Sequence, residues 1–238
     1  MEEKYTGLKA FLRPAVFAII MWVVFLSALV FRLDLHEWGV FPRTLDGIIG
    51  IFTSPFIHSD LSHITSNTIP FLVVGTGLFY FYKLIAWRVF MMIYLLTGFW
   101  VWLAARPSFH VGASGLIYGL VCFMFFSGLL RKDTRLLAIS LLVTFLYGSM
   151  VWGILPVDQT VSWESHLFGS AAGIFAAIYY RKEGPEREKY SWELEEEDEM
   201  KQENQEEEGT ANPEGGVIIH YHFKEKSPSD DEEKKTES

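Results

Sequence analysis

The chain has 238 residues, half of them apolar, with 20 Phe, 10 Tyr and 8 Trp and a formal net charge of −9. The charge is unevenly placed: residues 1–182 hold 13 basic and 9 acidic side chains, residues 183–238 hold 7 and 20. A single cysteine, Cys122, leaves no disulfide framework and no Cys-based zinc site, and the long polar segment is acidic where a nucleic-acid binder would carry a basic patch.

In chain order, residues 1–13 read as a short cytoplasmic N-terminus. Charge-free stretches then cover 14–31, 61–82, 89–105, 107–130, 136–157 and 165–180. A helix of about 20 mostly apolar residues crosses the hydrocarbon core. The expectation is an all-α membrane protein with six spans near 14–32, 61–82, 87–105, 114–130, 135–153 and 165–180, bounding a domain over 14–182. The first run is longer than a signal-peptide core and no small-residue cleavage pattern follows it, so it reads as a retained helix. The segment 33–60 carries charges, Pro42, Pro55 and an apolar run too short to span, which suits an interfacial or re-entrant loop. With the N-terminus inside, the inner segments collect ten Lys/Arg and the outer ones three, Arg32, Arg43 and Arg106. That bias places both termini in the cytoplasm. The tail, 183–238, is low in apolar residues and blocked in Glu, a composition that stays disordered. One island, Val217-Ile218-Ile219-His220-Tyr221-His222-Phe223, alternates like a short strand and suits docking onto a cytosolic partner's sheet.

Polar side chains inside apolar runs are expensive and call for a reason. His63 and Asn67 open the second span at i and i+4, on one helical face. Ser114 opens the fourth inside Gly112-Ala113-Ser114-Gly115, with Tyr118 one turn later on the same face. His166 opens the sixth. In the expected topology these three helix starts share one depth near the outer surface. A serine hydroxyl becomes a competent nucleophile when a histidine takes its proton, and the tetrahedral intermediate needs donors for its oxyanion. Ser114 and His166 supply the first pair; Asn67, His63 and the Ser114 backbone N–H supply candidate donors. Glu164 is two residues from His166 and faces another side of the helix, so a Ser–His dyad is expected, with Tyr118 stacked on the imidazole. Gly169 and Gly173 follow His166 at Gly-x-x-x-Gly spacing, and Gly115 and Gly119 repeat it on the fourth span, which allows two helices to approach closely. His58 reads as a loop-fixing residue, His110 as lining an entrance and His36 as solvated.

Together Gly112-Ala113-Ser114-Gly115-Leu116-Ile117-Tyr118-Gly119-Leu120, His63-x-x-x-Asn67 and His166-x-x-Gly169-x-x-x-Gly173 resemble the motifs of the rhomboid family of intramembrane serine proteases. The lead-in Pro55-Phe56-Ile57-His58-Ser59-Asp60-Leu61-Ser62-His63 is similar too. The resemblance covers about 14–182 and implies a six-helix rhomboid bundle. It further implies Ser114 as nucleophile, His166 as base, an oxyanion hole of His63, Asn67 and the Ser114 N–H, and Tyr118 packed on His166. It implies cleavage of a transmembrane helix of another membrane protein near the outer face of the bilayer, with no cofactor and no metal. Some members carry a Trp-Arg pair in the first loop; here Phe41-Pro42-Arg43 stands there instead.

Two other classes compete. A pseudoprotease on the same scaffold would bind or escort membrane proteins without cutting them, yet has no chemical need for both Ser114 and His166. A transporter predicts ionisable residues along a whole pathway, whereas these cluster at one face. The sequence contains no His-Glu-x-x-His, which disfavours an intramembrane zinc protease. The setting expected is a bacterial inner membrane.

Overall fold

In the lipid core a backbone must satisfy its own N–H and C=O groups, and apolar runs of this length therefore fold as helices. The computed structural model of the protein describes residues 7–146, 152–157, 161–184, 195 and 197–202. All of its regular structure is helical. In order come α1 (Gly7–Phe31), a 3-10 turn (His36–Trp38), a second (Asp46–Ile48), the short α2 (Gly50–Thr53), a third turn (Ser54–Phe56), α3 (Leu61–Phe81) and α4 (Ala86–Ala104). There follow α5 (Ser114–Arg131), α6 (Thr134–Leu146), a 3-10 turn (Trp152–Ile154) and α7 (Trp163–Tyr179). Four of these, α1, α3, α4 and α5, are long and apolar enough to cross a membrane. α6, with 13 residues, and α7, with 17, are shorter.

The boundaries differ from the expected spans by more than two residues at two places. α1 begins at Gly7 and carries Pro14 inside it. Lys9 and Arg13 are helical because a charge at the end of a span does not stop a helix; Arg13 lays its guanidinium 5.2 Å from the ring centre of Phe79. The fifth span, expected over 135–153, is helical over Thr134–Leu146, and Gly153 lies in a 3-10 turn instead.

The chain divides into two units, Met1–Glu188 and Lys189–Ser238. In the first, the helices pack around Ile64, Phe71, Leu78 and Phe79 of α3, Ile93 of α4 and Ile117, Leu120 and Phe123 of α5, all essentially without solvent contact. The ring of Phe17 of α1 packs, tilted, with its centre 4.5 Å from that of Phe56 and 4.9 Å from that of Phe71, which ties the first loop and α3 to α1. In the second unit, residues 197–202 are helical and Lys201 lies 3.4 Å from Asp198. The island Val217–Phe223 lies outside the described residues.

The loop between α1 and α3 is held by short-range geometry. A Cβ on Gly47 would sit 1.9 Å from the Phe41 carbonyl oxygen, and one on Gly50 would sit 2.3 Å from the Gly39 backbone. Arg43 Nη1 donates to the Ala105 carbonyl at 3.0 Å, Arg43 N to the Trp102 carbonyl at 2.9 Å, and Trp102 Nε1 returns a bond to the Thr44 carbonyl at 2.8 Å. A cation on the last carbonyls of α4 is also favoured by the helix dipole. Arg43 therefore pins the loop to the end of α4.

Candidate active site

Three helices deliver their first turns to one cavity. α3 is capped by Asp60, whose Oδ1 accepts from the His63 N–H at 2.8 Å. Ser59 Oγ lies 2.9 Å from Asp60 Oδ2 and 3.2 Å from His63 Nδ1. One turn on, Asn67 is buried and its Nδ2 donates to the His63 carbonyl at 2.9 Å.

α5 opens at Ser114 because of Gly112. This residue has φ +103°, a conformation that side chains resist, and a Cβ there would lie 2.6 Å from His63 Nε2. Its N–H donates to the Ser54 carbonyl at 2.9 Å, so the first loop fixes the turn before the helix. The first intrahelical bond of α5 runs from Ile117 N to the Ala113 carbonyl. The N–H groups of Ser114, Gly115 and Leu116 therefore have no intrahelical acceptor, and the helix start is a natural seat for a developing anion.

α7 brings His166 to Ser114. His166 Nε2 and Ser114 Oγ are 2.8 Å apart, and both residues are buried. His166 Nδ1 lies 2.8 Å from the Gly153 carbonyl. A carbonyl only accepts, so Nδ1 carries the proton, and the lone pair of the neutral ring is on Nε2, facing the serine hydroxyl. The ring is clamped in that plane: Tyr118 stacks on it with centroids 4.1 Å apart and an interplanar angle of 4°. The close approach of α5 and α7 needs glycine. A Cβ on Gly169 would lie 2.0 Å from the Gly115 carbonyl oxygen, and one on Gly173 would lie 2.0 Å from that of Gly119.

The cavity in front of the pair has a volume of about 1260 Å³, and His63, Asn67, Ser114, Tyr118, Gly153 and His166 all line it. The residue types singled out in the sequence thus share one space. Of the other histidines, His58 is not among the lining residues, whereas His110 and His36 are. His58 is buried in the first loop, its ring 4.9 Å from that of His63; burial, then the neighbouring His63, push its pKa down to about 4. His110 is buried and lines the cavity, and His36, exposed with its ring 5.3 Å from that of Phe109, lines it too. Gly153 was not found from the sequence: a glycine in a linker gives no sign that its carbonyl will be used. Among the described residues no cluster of His, Cys, Asp and Glu has the makings of a metal site.

A family model described as a Rhomboid domain matches residues 46–183, more than half of the chain. The chain belongs to the rhomboid family. Relatives of this rhomboid include uncharacterized proteins of Mycobacterium tuberculosis (strain H37Rv) and Mycobacterium bovis. Each is 36% identical over 170 residues, which is 66% of this chain and 67% of theirs. An uncharacterized protein of Mycobacterium leprae is 32% identical over 186 residues, 72% of this chain and 70% of its own. The matched region takes in His63, Asn67, Ser114, Tyr118, Gly153 and His166, and with its apolar helices this rhomboid is an integral membrane protein.

Proposed function

We propose that this rhomboid is an intramembrane serine endopeptidase that cuts a peptide bond in or beside a transmembrane helix of another protein. The observation that carries this reading is the 2.8 Å contact between Ser114 Oγ and the unprotonated nitrogen of a His166 ring whose tautomer is set by Gly153. In the reaction Ser114 Oγ attacks the scissile carbonyl carbon as its proton passes to His166 Nε2. The carbonyl oxygen becomes an oxyanion held by the Ser114 N–H, the Asn67 amide and the His63 ring. Collapse of the intermediate breaks the C–N bond, and the imidazolium returns its proton to the departing amine. Water, deprotonated by the same His166, then hydrolyses the acyl-enzyme. Tyr118 holds the ring through both proton transfers, and Gly112, Gly115, Gly169 and Gly173 permit the close approach.

Four helices long enough to span are joined in this reading by α6 and α7, giving a six-span domain over 14–182 between a cytoplasmic N-terminus, 1–13, and an acidic tail, 183–238. The Lys/Arg bias orients it with both termini in the cytoplasm of a bacterium and the cavity toward the outer face. The mycobacterial relatives support a bacterial inner membrane. The bilayer and transmembrane substrates are its partners, with the island Val217–Phe223 a docking peptide for a cytosolic one.

The test is co-expression with a tagged membrane protein whose helix begins with small and helix-breaking residues. Wild type is expected to release a product that Ser114→Ala does not. If neither gives product and a fluorophosphonate probe leaves Ser114 unlabelled, the chain is a scaffold that binds without cutting.

A further inference from the structure

The Ser114–His166 contact is made across two loops, and a second set of bonds ties those loops together. Residues 105–113 lead into Ser114; residues 161–165 lead into His166. Arg106 Nη2 donates to the Val161 carbonyl at 2.9 Å, and its Nε lies 3.4 Å from Glu164 Oε1. Glu164 is 3% exposed and does not line the cavity. A carboxylate is kept out of water at a cost unless a cation answers it; Arg106 answers it at ion-pair distance, with no hydrogen bond to either carboxylate oxygen among the described residues.

His110, 2% exposed, makes a parallel tie. Its Nε2 is 3.1 Å from the Arg106 carbonyl, so that nitrogen carries the proton and Nδ1 accepts from the Ser162 hydroxyl at 2.6 Å. Ser162 Oγ, having donated, accepts in turn from Ser165 Oγ at 2.6 Å. The bonds run in one direction from the start of α7 into the lead-in of α5. On its other side His110 exchanges two backbone bonds with Val40, at 3.0 and 2.9 Å, so the lead-in is anchored to the first loop.

We propose that Arg106 and Glu164, with the His110–Ser162 bond beside them, form a latch that sets the separation of Ser114 and His166. They are positioning residues: Glu164 acts through His166, two residues along its helix, and Arg106 through the loop that carries Ser114. The sequence pointed away from an acid at Glu164 because i and i+2 face different sides; that geometry frees the carboxylate to hold the helix start instead. The inference rests on the protease reading.

The experiment compares full-length wild type with Glu164→Gln, Arg106→Gln and the double variant in detergent. It measures amide hydrogen exchange over 106–113 and 161–166, cleavage kinetics and fluorophosphonate labelling of Ser114. Each single variant is expected to exchange faster in both loops, with kcat and the labelling rate down by roughly 10–100-fold and KM unchanged. The double variant is expected to be no worse than the poorer single, because the two act through each other. Unchanged exchange overturns the latch. Faster exchange with wild-type kcat overturns the positioning role, as do losses that simply multiply in the double variant. If Glu164→Gln fails to fold, Ser162→Ala, which removes one hydroxyl, gives the same comparison: a fall in kcat at constant KM supports the latch and wild-type kinetics refute it. A wild type that neither cleaves nor labels refutes the protease reading and the positioning role with it, while the exchange pattern still reports whether the latch exists.

Discussion

Gly153 shows how much a single backbone atom decides. Its carbonyl fixes the proton of His166 on Nδ1, the task a carboxylate performs in a three-residue triad. A Cβ at Gly153 would lie 2.1 Å from Tyr118 Oη and 3.1 Å from His166 Nδ1. Gly153→Ala therefore pushes the turn or the ring pair aside, and kcat is expected to fall roughly 10²-fold with the bundle still folded. Steady-state kinetics beside a melting curve would check it; an unchanged kcat would remove Gly153 from the proposed mechanism. Asn67 is a separate case. Its Nδ2 donates to the His63 carbonyl at 2.9 Å. As an oxyanion donor it is worth roughly 10²–10³ in kcat, and Asn67→Ala should lose that factor with little change in KM. Wild-type kinetics for this variant would show its amide to be structural only.

At the scale of elements, the packing of α5 on α7 was legible and its consequences are testable. Gly115, Gly119, Gly169 and Gly173 stood out by spacing alone, and in the fold each pair puts one helix's glycine on the other's carbonyl. Gly169→Ala or Gly173→Ala places a methyl 2.0 Å from a carbonyl oxygen. Backbone cannot yield there as a flexible side chain would, so the helices must part. The expected result is a loss of about 1–3 kcal/mol or more in stability, with activity falling further than stability because the Ser114–His166 distance opens first. Thermal melts and cleavage assays on the same preparation would separate the two effects; full activity in Gly169→Ala would mean that the helices do not need this closeness. What was not legible shares one cause. The turn carrying Gly153, the Arg43 clasp on α4 and the bonds of His110 join segments far apart in sequence through loops, where hydrophobic period gives no guide. Arg43 stands in the loop where some members carry a Trp-Arg pair. Its bonds to α4 show a local anchoring task that composition did not suggest.

The first loop links the site to the stability of the whole molecule. His58 is buried there against His63, and its pKa is depressed from 6.5 to about 4. Burial depresses the His110 pKa as well. Such rings are neutral when folded but take up a proton in the unfolded chain as soon as the pH drops below about 6.5. The contribution of His58 is full above that pH and is lost progressively as the pH falls toward about 4. Tm in detergent is expected to decline over that window, and His58→Gln should flatten the decline; an equal slope in the variant would assign the acid sensitivity to other groups.

Composition breaks at 182/183, yet Glu183 still belongs to the packed unit. Its carboxylate lies 2.8 Å from Arg88, and Arg131 reaches both its carbonyl and that of Tyr180, the latter at 2.9 Å. Arg131 thus closes the C-terminal end of α7 while the glycine interface fixes its middle. The cut that tests whether the acidic tail is dispensable is therefore after Glu188, the end of the first unit. A chain of residues 1–188 should cleave a model substrate at the full-length rate in detergent. A cut after Lys182 removes the Arg88 partner and one Arg131 acceptor. The ion pair is half exposed and worth at most about 1 kcal/mol, so that shorter chain should melt slightly earlier and still cleave. If the 1–188 chain folds, by its melting curve, and yet is inactive, the tail takes part in the reaction or in substrate capture, and the assignment of all the chemistry to the helical domain is wrong.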